Sequence, residues 1–148
     1  MKIVVGSDHR GFEVKRRITT VLQQLGHEVQ DIGPNSRDSV DYPDFAFQVG
    51  LAVSEGRAQR GVLVCGTGIG MSIAANKHAG IRAALVHTEF EARMARAHND
   101  ANVLCLGERV VGVGVAGSIL AAFLDGVFEG GRHAKRVEML KALDVGHA

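Results

Sequence analysis

The sequence predicts a single doubly wound α/β domain, in which about five parallel strands form a sheet with helices on both faces. Short apolar runs alternate along the chain with longer segments whose apolar residues recur at helical spacing. The apolar runs do not alternate with polar residues, which is typical of strands buried on both faces. The 148 residues contain no linker or internal repeat, so we expect one domain over residues 1–148.

The predicted elements follow one another from end to end of the chain. The first helix is defined by an apolar face and stops at Gly26, and its face comprises Val14, Ile18, Val21, Leu22 and Leu25. Asp41 is a plausible N-cap for the second helix, and Thr88 with Glu91 forms a capping box for the fourth. We predict strands at 2–6, 28–32, 62–65, 82–86 and 103–106, and later helices at 72–78, 88–98, 113–124 and 132–143.

Composition and charge exclude several classes of protein. The net charge of +1 gives no electrostatic basis for binding nucleic acid or an anionic membrane. The longest apolar run, residues 110–124, contains three glycines and is shorter than the roughly 20 residues that span a bilayer. Met1 and Lys2 lead directly into a strand, so we expect no signal peptide. The two cysteines show neither metal-ligand spacing nor a disulfide framework, and we expect a reduced, cytoplasmic protein.

One stretch, from Gly61 to Met71, combines a strand, a cysteine and a glycine-rich turn. The buried run Val62–Val64 ends in Cys65, and three glycines follow at alternating positions, Gly66, Gly68 and Gly70. A strand that turns through glycines into a helix leaves backbone N–H groups unpaired, and these favour an anion. A cysteine at such a helix start favours its thiolate form. The stretch therefore offers a base or nucleophile beside a cradle for negative charge.

Two other interpretations of the same stretch remain open at this point. It could be a plain structural turn in which Cys65 is a small buried hydrophobe. It could also be a dinucleotide-binding fingerprint, but Met71 stands where the third glycine of that pattern would be, and no acidic residue follows at about twenty residues.

Further polar residues follow other predicted strands and should share the same edge of the sheet. Ligands of such sheets bind beyond the carboxyl ends of the strands. Asp8 and His9 follow the first strand, His87 follows the fourth, and Arg109 follows the fifth. Asp8 and His9 could instead cap the first helix, and His87 is more simply a surface histidine. Two further residues are less decisive: Tyr42 could line the site or only pack beside Pro43, and Cys105 should lie in the core.

A second group of polar residues should lie at the opposite edge of the sheet. His98 and Asn99 end the fourth helix, and Arg132 and Arg136 are four apart on the sixth, so they share a face. An anionic ligand would relieve the repulsion between the two arginines, although a solvated basic face explains them equally well. Because helices that follow parallel strands run back to the amino edge, this group could meet Cys65 only in a second subunit. A two-fold dimer would build two such shared sites.

Three motifs together resemble the ribose-5-phosphate isomerase type B family, which includes relatives that act on allose 6-phosphate and galactose 6-phosphate. The motifs are Ser-Asp-His-Arg-Gly at 7–11, Asp-Tyr-Pro-Asp at 41–44 and Cys-Gly-Thr-Gly-Ile-Gly-Met-Ser-Ile-Ala-Ala-Asn-Lys at 65–77. The similarity extends over about residues 1–143, in the family's order. Some members carry another residue at the position of Cys65 and use a carboxylate, whereas this chain keeps the cysteine pattern.

The resemblance implies reversible conversion of ribose 5-phosphate and ribulose 5-phosphate, a small-molecule sugar phosphate, with no metal and no organic cofactor. It implies that Cys65 moves a proton between C2 and C1 through an enediolate, and that His98 is the acid that helps to open the furanose ring. The implied substrate-binding residues are Asp8, His9, Gly66, Thr67, Gly68, Ile69, Gly70, Asn99, Arg109, Arg132 and Arg136. Among them, the arginines chiefly bind phosphate and the amides of the glycine stretch hold the oxyanion.

Alternative functions remain to be compared with this one. Within the isomerases, a six-carbon sugar phosphate is the second candidate substrate. Cys65 could instead be a covalent nucleophile in phosphate or acyl transfer, or the chain could bind a phosphorylated ligand without turnover. The assembly is expected to be a homodimer with shared sites, or a tetramer.

Overall fold

The computed structural model describes residues 1–144, which form a five-stranded parallel sheet in the order β2-β1-β3-β5-β4. The prediction of about five parallel strands is confirmed. The strands are β1 (Lys2–Ser7), β2 (Glu28–Asp31), β3 (Arg60–Cys65), β4 (Ala83–Leu85) and β5 (Val103–Gly107). The central strands β1, β3 and β5 are almost completely buried, as their continuous apolar runs predict.

Helices cover both faces of the sheet, which confirms the doubly wound architecture. The helices are α1 (Phe12–Gln24), α2 (Tyr42–Ser54), α3 (Ile69–Ala75), α4 (Glu89–Asn99), α5 (Glu108–Asp125) and α6 (Arg132–Ala142). Apolar residues of α1, α4 and α5 pack on one face against alternate residues of β1, β3 and β5, such as Ile3, Val62 and Leu104. The opposite face packs against α2 and α3 and includes Val4 and Leu63.

The strand order places a crevice between β1 and β3. The chain runs from β1 outward to β2 on one side, and then returns to β3 on the other side of β1. The segments that follow the two strands therefore diverge at their carboxyl ends, and ligands of open α/β sheets bind at this type of switch point. The Asp8 amide donates to the Val64 carbonyl at 3.1 Å, so the segment after β1 is fixed directly beside the end of β3.

Three helix details differ from the prediction. The third helix begins at Ile69 instead of residue 72, because Gly68 adopts a left-handed conformation (φ 81°) that turns the chain into the helix at once. The predicted fifth helix at 113–124 is present, but a break at Gly112 (φ 69°, ψ 176°) separates it from an additional turn, 108–111, that was not predicted. Leu25 lies beyond the last residue of α1 and is 55% exposed, so it does not belong to the apolar face.

The two predicted N-caps, of α2 and α4, are confirmed in part. The Thr88 hydroxyl accepts from the Glu91 amide at 3.1 Å, as a capping box requires, but the Glu91 carboxylate accepts from the amide of His87 at 3.1 Å. Asp41 occupies the N-cap of α2 with Pro43 in the first turn, although its side chain accepts no capping hydrogen bond. Among residues 1–144, no helix is long and apolar enough to cross a membrane.

Candidate active site

Cys65 ends β3 at the crevice and is held by a hydrogen bond from the loop that follows it. Cys65 is only 5% exposed, and the Gly68 amide donates to the Cys65 Sγ at 3.1 Å. A thiolate accepts such a bond far better than a neutral thiol does, because charge-assisted hydrogen bonds are the stronger ones. The chain therefore folds its own hydrogen-bond donor onto the sulfur that faces the crevice.

The glycine-rich loop packs too closely for side chains at two of its positions. A Cβ at Gly68 would lie 2.9 Å from the backbone carbonyl carbon of Leu106. A Cβ at Gly70 would lie 2.3 Å from the ring of Tyr42. Because these neighbours press on the loop from both sides, its amides point in fixed directions, as preorganised charge stabilisation requires.

Some backbone amides of the glycine-rich loop donate hydrogen bonds within the loop, and others do not. The Gly68 amide donates to Cys65 and the Ile69 amide donates to the Thr67 hydroxyl at 3.3 Å. The Thr67 amide forms no hydrogen bond with any residue in 1–144. Two of the amides predicted to hold an oxyanion therefore already support the loop, and the Thr67 amide is among those that remain for a ligand.

One cavity brings together most of the residues predicted around Cys65. Its lining contains Cys65, Gly66, Thr67, Ile69, Gly70 and Arg109 from the predicted set. Tyr42 also lines this cavity, so its ring forms part of the cavity wall. Arg10 and Ile73 complete the lining and were missed from the sequence. Arg10 stands directly after Asp8 and His9, and Ile73 is one helical turn after Ile69. Their positions next to predicted site residues could therefore have identified both.

Two arginines flank Gly66 in this cavity. An added Cβ on Gly66 would lie 3.4 Å from the Cδ of Arg10 and 3.9 Å from that of Arg109. Arg109 is fixed by its own amide, which donates to the Gly66 carbonyl at 3.1 Å, and by the pairing of Cys65 with Gly107 in the sheet. Neither arginine forms an ion pair with an acidic residue of the described chain. The wall beside Cys65 therefore carries two positive charges that an anionic ligand can neutralise.

Asp8 and His9 lie beside this cavity and partly serve the local turn. One Asp8 carboxylate oxygen accepts from the amides of Arg10 (2.9 Å) and Gly11 (3.1 Å), so it stabilises the turn before α1 and, contrary to the capping interpretation, does not cap the helix, whose N-cap is Gly11. Asp8 also lines an adjoining cavity that shares Tyr42 with the one around Cys65. The His9 Nδ1 accepts from the Val40 amide at 3.2 Å, which places the proton of a neutral ring on Nε2 and leaves that nitrogen as a donor.

The second group of predicted residues lies at the amino edge, away from Cys65. The helix α4 starts after the carboxyl end of β4 and ends at Asn99, shortly before β5 begins. His98 stacks on His133 of α6 with ring centroids 4.1 Å apart, which brings it to the start of the helix that carries Arg132 and Arg136. Both arginines are exposed. One subunit therefore holds the predicted site residues as two separate groups.

The sequence reasoning missed two residues beside His98. The Glu129 Oε1 lies 3.9 Å from the Nε2 of His98 and 3.6 Å from that of His133. These ligand atoms lie within 4.8 Å of one another, as a metal site would require. However, the two stacked rings are inclined by only 8°, so their lone pairs, which lie in the ring planes, lie in two nearly parallel planes. An ion about 2.0–2.1 Å from both nitrogens would lie off at least one lone pair unless a ring turned, so this arrangement does not suit a metal.

The remaining candidates behave as ordinary structural residues. The side chain of His87 is 42% exposed and lies 3.8 Å from Glu91 at the start of α4, as predicted for a surface histidine. Cys105 is fully buried in the core. Burial, and secondarily the nearby Cys65, raise the pKa of the Cys105 thiol far above its ordinary value, so this second cysteine stays neutral.

Comparisons with known proteins identify the family of this chain. The model of the "Ribose/Galactose Isomerase" family matches residues 3–140. The chain is 49% identical over 143 residues to ribose-5-phosphate isomerase B of Escherichia coli, with 97% of this chain and 96% of the relative covered. It is 44% identical to D-erythrulose-4-phosphate isomerase of Pectobacterium atrosepticum, with 95% and 93% covered. The solved structure of Clostridium thermocellum ribose-5-phosphate isomerase B superposes with a TM-score of 0.98 at 50% identity, covering 100% of both chains. The chain thus belongs to the ribose/galactose isomerase family.

Proposed function

We propose that this protein interconverts ribose 5-phosphate and ribulose 5-phosphate by proton transfer through an enediolate, as a cytoplasmic enzyme of the non-oxidative pentose phosphate pathway. The single observation that carries the chemistry is the Gly68 amide directed at the Cys65 sulfur. It supports a thiolate that accepts the C2 proton. The Thr67 amide beside it is a donor for the oxygen on which negative charge develops.

The reaction divides into two tasks at the two groups of residues. In the first, the furanose C1–O4 bond breaks as His98 gives a proton to O4, and the C1 hydroxyl loses its proton to water. In the second, Cys65 takes the C2 proton and returns it to C1, while the proton of the C2 hydroxyl passes to O1 through the enediolate, which converts the aldose into the ketose. Arg109, Arg132 and Arg136 bind the phosphate, which orients the sugar and uses remote binding energy for the reaction. No step requires a metal or an organic cofactor.

The active assembly in this proposal is a homodimer, or a tetramer built from such dimers. The separation of Cys65 from His98 within one chain supports a site that takes Cys65 from one subunit and His98 from the other. Exposed apolar side chains that line the cavity also favour a covered surface: Ile69 is 51% exposed and Ile73 57%. A partner subunit would remove these side chains from water and close the cavity.

The test is turnover with sugar phosphates of different length. We expect the highest kcat/KM with ribose 5-phosphate, and much lower values with allose 6-phosphate, galactose 6-phosphate and D-erythrulose 4-phosphate. Deuterium from the solvent should appear at C1 of ribulose 5-phosphate, because the enediolate exchanges its proton. A preference for a six-carbon sugar phosphate would replace the proposed substrate while leaving the chemistry in place. Ping-pong kinetics with a trapped thioester or thiophosphate would instead identify Cys65 as a nucleophile.

A further inference from the structure

The stacked histidine pair, His98 and His133, is a cluster of titratable groups at the amino edge of the sheet. The rings are 4.1 Å apart and inclined by only 8°, so they lie face to face. One oxygen of Glu129 faces both Nε2 atoms, at 3.9 Å from His98 and 3.6 Å from His133. The function proposed above uses His98 alone.

The backbone builds this cluster through the turn between α5 and α6. The Glu129 amide donates to the Ala97 carbonyl at 3.0 Å, which ties the turn to the end of α4. Gly130 (φ 68°) and Gly131 (φ 56°, ψ −129°) both adopt conformations that L side chains rarely adopt, and they reverse the chain into α6. The His133 amide then donates to the Gly130 carbonyl at 3.0 Å. Glu129 and His133 are consequently held against His98 by main-chain contacts rather than by chance proximity of side chains.

The two histidines differ in their access to water. The side chain of His133 is 7% exposed, and its Nε2 is buried without a hydrogen-bond partner among the described residues. The side chain of His98 is 38% exposed. A proton on the buried Nε2 would place a charge away from water with only Glu129 near it, at 3.6 Å and beyond hydrogen-bonding distance, which is costly, whereas a proton on His98 can be solvated. The geometry alone therefore favours His98 as the ring that carries the charge.

The surrounding charges act in the same direction. Burial, then His98, Arg132 and Arg136 lower the pKa of His133, and Glu129 opposes them only in part. Two stacked imidazolium rings would also repel each other, so a proton on one disfavours a proton on the other. The cluster is thus a pair of titratable groups whose environments separate their protonation states, as in other sites where an acid must be distinguished from its neighbour.

We propose that Glu129 and His133 are positioning residues for ring opening: Glu129 balances the charge of protonated His98, and neutral His133 holds the His98 ring by stacking. This inference rests on the proposed function, because it concerns the step in which His98 gives its proton to the ring oxygen. His133 itself transfers no proton. Its contribution is to fix the direction in which the His98 N–H points.

The first test separates ring opening from isomerisation with a matched pair of substrates. Ribose 5-phosphate is mainly cyclic, whereas 4-deoxyribose 5-phosphate has no hydroxyl that can close the furanose ring. We expect His133→Ala to lower kcat/KM for ribose 5-phosphate by about tenfold or more, because a displaced acid group loses its alignment. The same variant should leave the open-chain substrate unaffected. His133→Phe, which retains a stacking ring without a proton, should restore most of the activity.

Two results of this test would overturn the proposal. Equal losses on the two substrates would mean that His133 only supports the fold. A His133→Phe variant as impaired as His133→Ala on ribose 5-phosphate would mean that His133 donates a proton itself. Thermal melting of both variants verifies that the comparison concerns folded protein.

The second test uses Glu129, which is 53% exposed and therefore tolerates an isosteric change. Loss of the carboxylate in Glu129→Gln makes the imidazolium of His98 less stable, so its proton leaves at lower pH. The alkaline fall of kcat/KM for ribose 5-phosphate should then move to lower pH by about half a unit, as for partly solvated charges about 4 Å apart. Glu138→Gln, which removes an exposed carboxylate from α6 paired with Lys141, is the control and should not move it. An unmoved profile in Glu129→Gln would refute the role of Glu129.

A measurement on the resting protein does not depend on catalysis. In an NMR titration, the His133 ring should remain neutral to a lower pH than an ordinary histidine. A His133 ring that takes up its proton at the ordinary pH of a histidine, or above it, would overturn the assignment of the proton. If the wild-type protein converted neither substrate, the proposed function would fail while this titration still tested the cluster.

Discussion

At the scale of single residues, the two cysteines provide a controlled comparison. Cys65 faces a cavity and accepts a hydrogen bond from Gly68, whereas Cys105 is fully buried in the core. If Cys65 is the proton-transfer base, Cys65→Ala should lower kcat by on the order of 10²-fold or more, with a much smaller change in KM. The measurement is steady-state turnover of ribose 5-phosphate.

The matched control is Cys105→Ala. Burial keeps this thiol neutral, so its removal should reduce stability slightly and leave turnover largely intact. Near-normal turnover in Cys65→Ala would end the assignment of the base, whatever the control shows.

The arginines of α6 give a second prediction at this scale. Arg132 and Arg136 are exposed and have no ion pair in the described chain, so they are available for a phosphate. Their replacement by Ala should weaken binding of ribose 5-phosphate by roughly 1.5–3 kcal/mol each, the value of a charge-assisted hydrogen bond. Binding of unphosphorylated ribose should change little. Isothermal titration with both sugars measures the difference.

Arg93→Ala is the corresponding control, because Arg93 is an exposed arginine on α4 that pairs with Glu89 at 3.1 Å. Arg93→Ala should change the binding of neither sugar. If Arg132→Ala and Arg136→Ala weakened the binding of both sugars equally, these side chains would not recognise phosphate.

At the scale of elements, the turn from β3 into α3 should be sensitive to bulk. Gly68 and Gly26 have nearly the same φ (81° and 85°), but a Cβ at Gly68 meets the Leu106 backbone whereas a Cβ at Gly26 meets nothing within 4 Å. Gly26→Ala should cost only about 1–2 kcal/mol of stability, the strain of a left-handed residue, with normal kcat. Gly68→Ala should in addition lower kcat by about 10–100-fold, because the shifted amide no longer donates to Cys65.

Urea unfolding and steady-state kinetics distinguish the two effects. If Gly68→Ala lost stability like Gly26→Ala but kept a normal kcat, the amide of Gly68 would have no part in the reaction.

The elements that the sequence predicted well are those decided by apolar spacing. The strand β1 and the buried face of α1 follow directly from the pattern of Val, Ile and Leu. The start of α3 could not be predicted from apolar spacing, because Gly68 and Gly70 lower helix propensity and suggest a loop. In the folded chain the Tyr42 ring occupies the space where a side chain at Gly70 would lie. That requirement comes from tertiary packing, which local propensity does not contain.

Some residues of the candidate site were likewise predicted from the sequence, and others were not. Cys65 and Arg109 were predicted because each follows a strand, and parallel strands bring such residues to one edge. The cluster of His98, Glu129 and His133 was not predicted, because it depends on how the turn before α6 packs against α4. Two glycines with positive φ determine that turn, and their spacing alone does not reveal which side chains it brings together.

At the scale of the whole molecule, the topology separates the two tasks of the proposed reaction. Strand β3 delivers Cys65 to the carboxyl edge, whereas α4 and α5 both run back to the amino edge and place His98 and Arg132 there. If Cys65 and His98 act in one site, one chain cannot assemble it without large rearrangement. In the proposed two-fold dimer, the amino edge of each subunit would lie near the carboxyl edge of the other, and the shared site would form twice.

This shared site can be tested by mixing two inactive variants. Cys65→Ala and His98→Ala homodimers should each be nearly inactive. If the two are unfolded and refolded together, about half of the dimers should be mixed, and each mixed dimer should have one intact and one doubly damaged site, so activity should recover to about a quarter of the wild-type value. If both residues came from one chain, every site in the mixed dimer would still carry a lesion and nothing would recover. Mass spectrometry establishes that subunits have exchanged. An inactive mixture with confirmed exchange would reject the cross-subunit site and leave the isomerase chemistry to be explained within one chain.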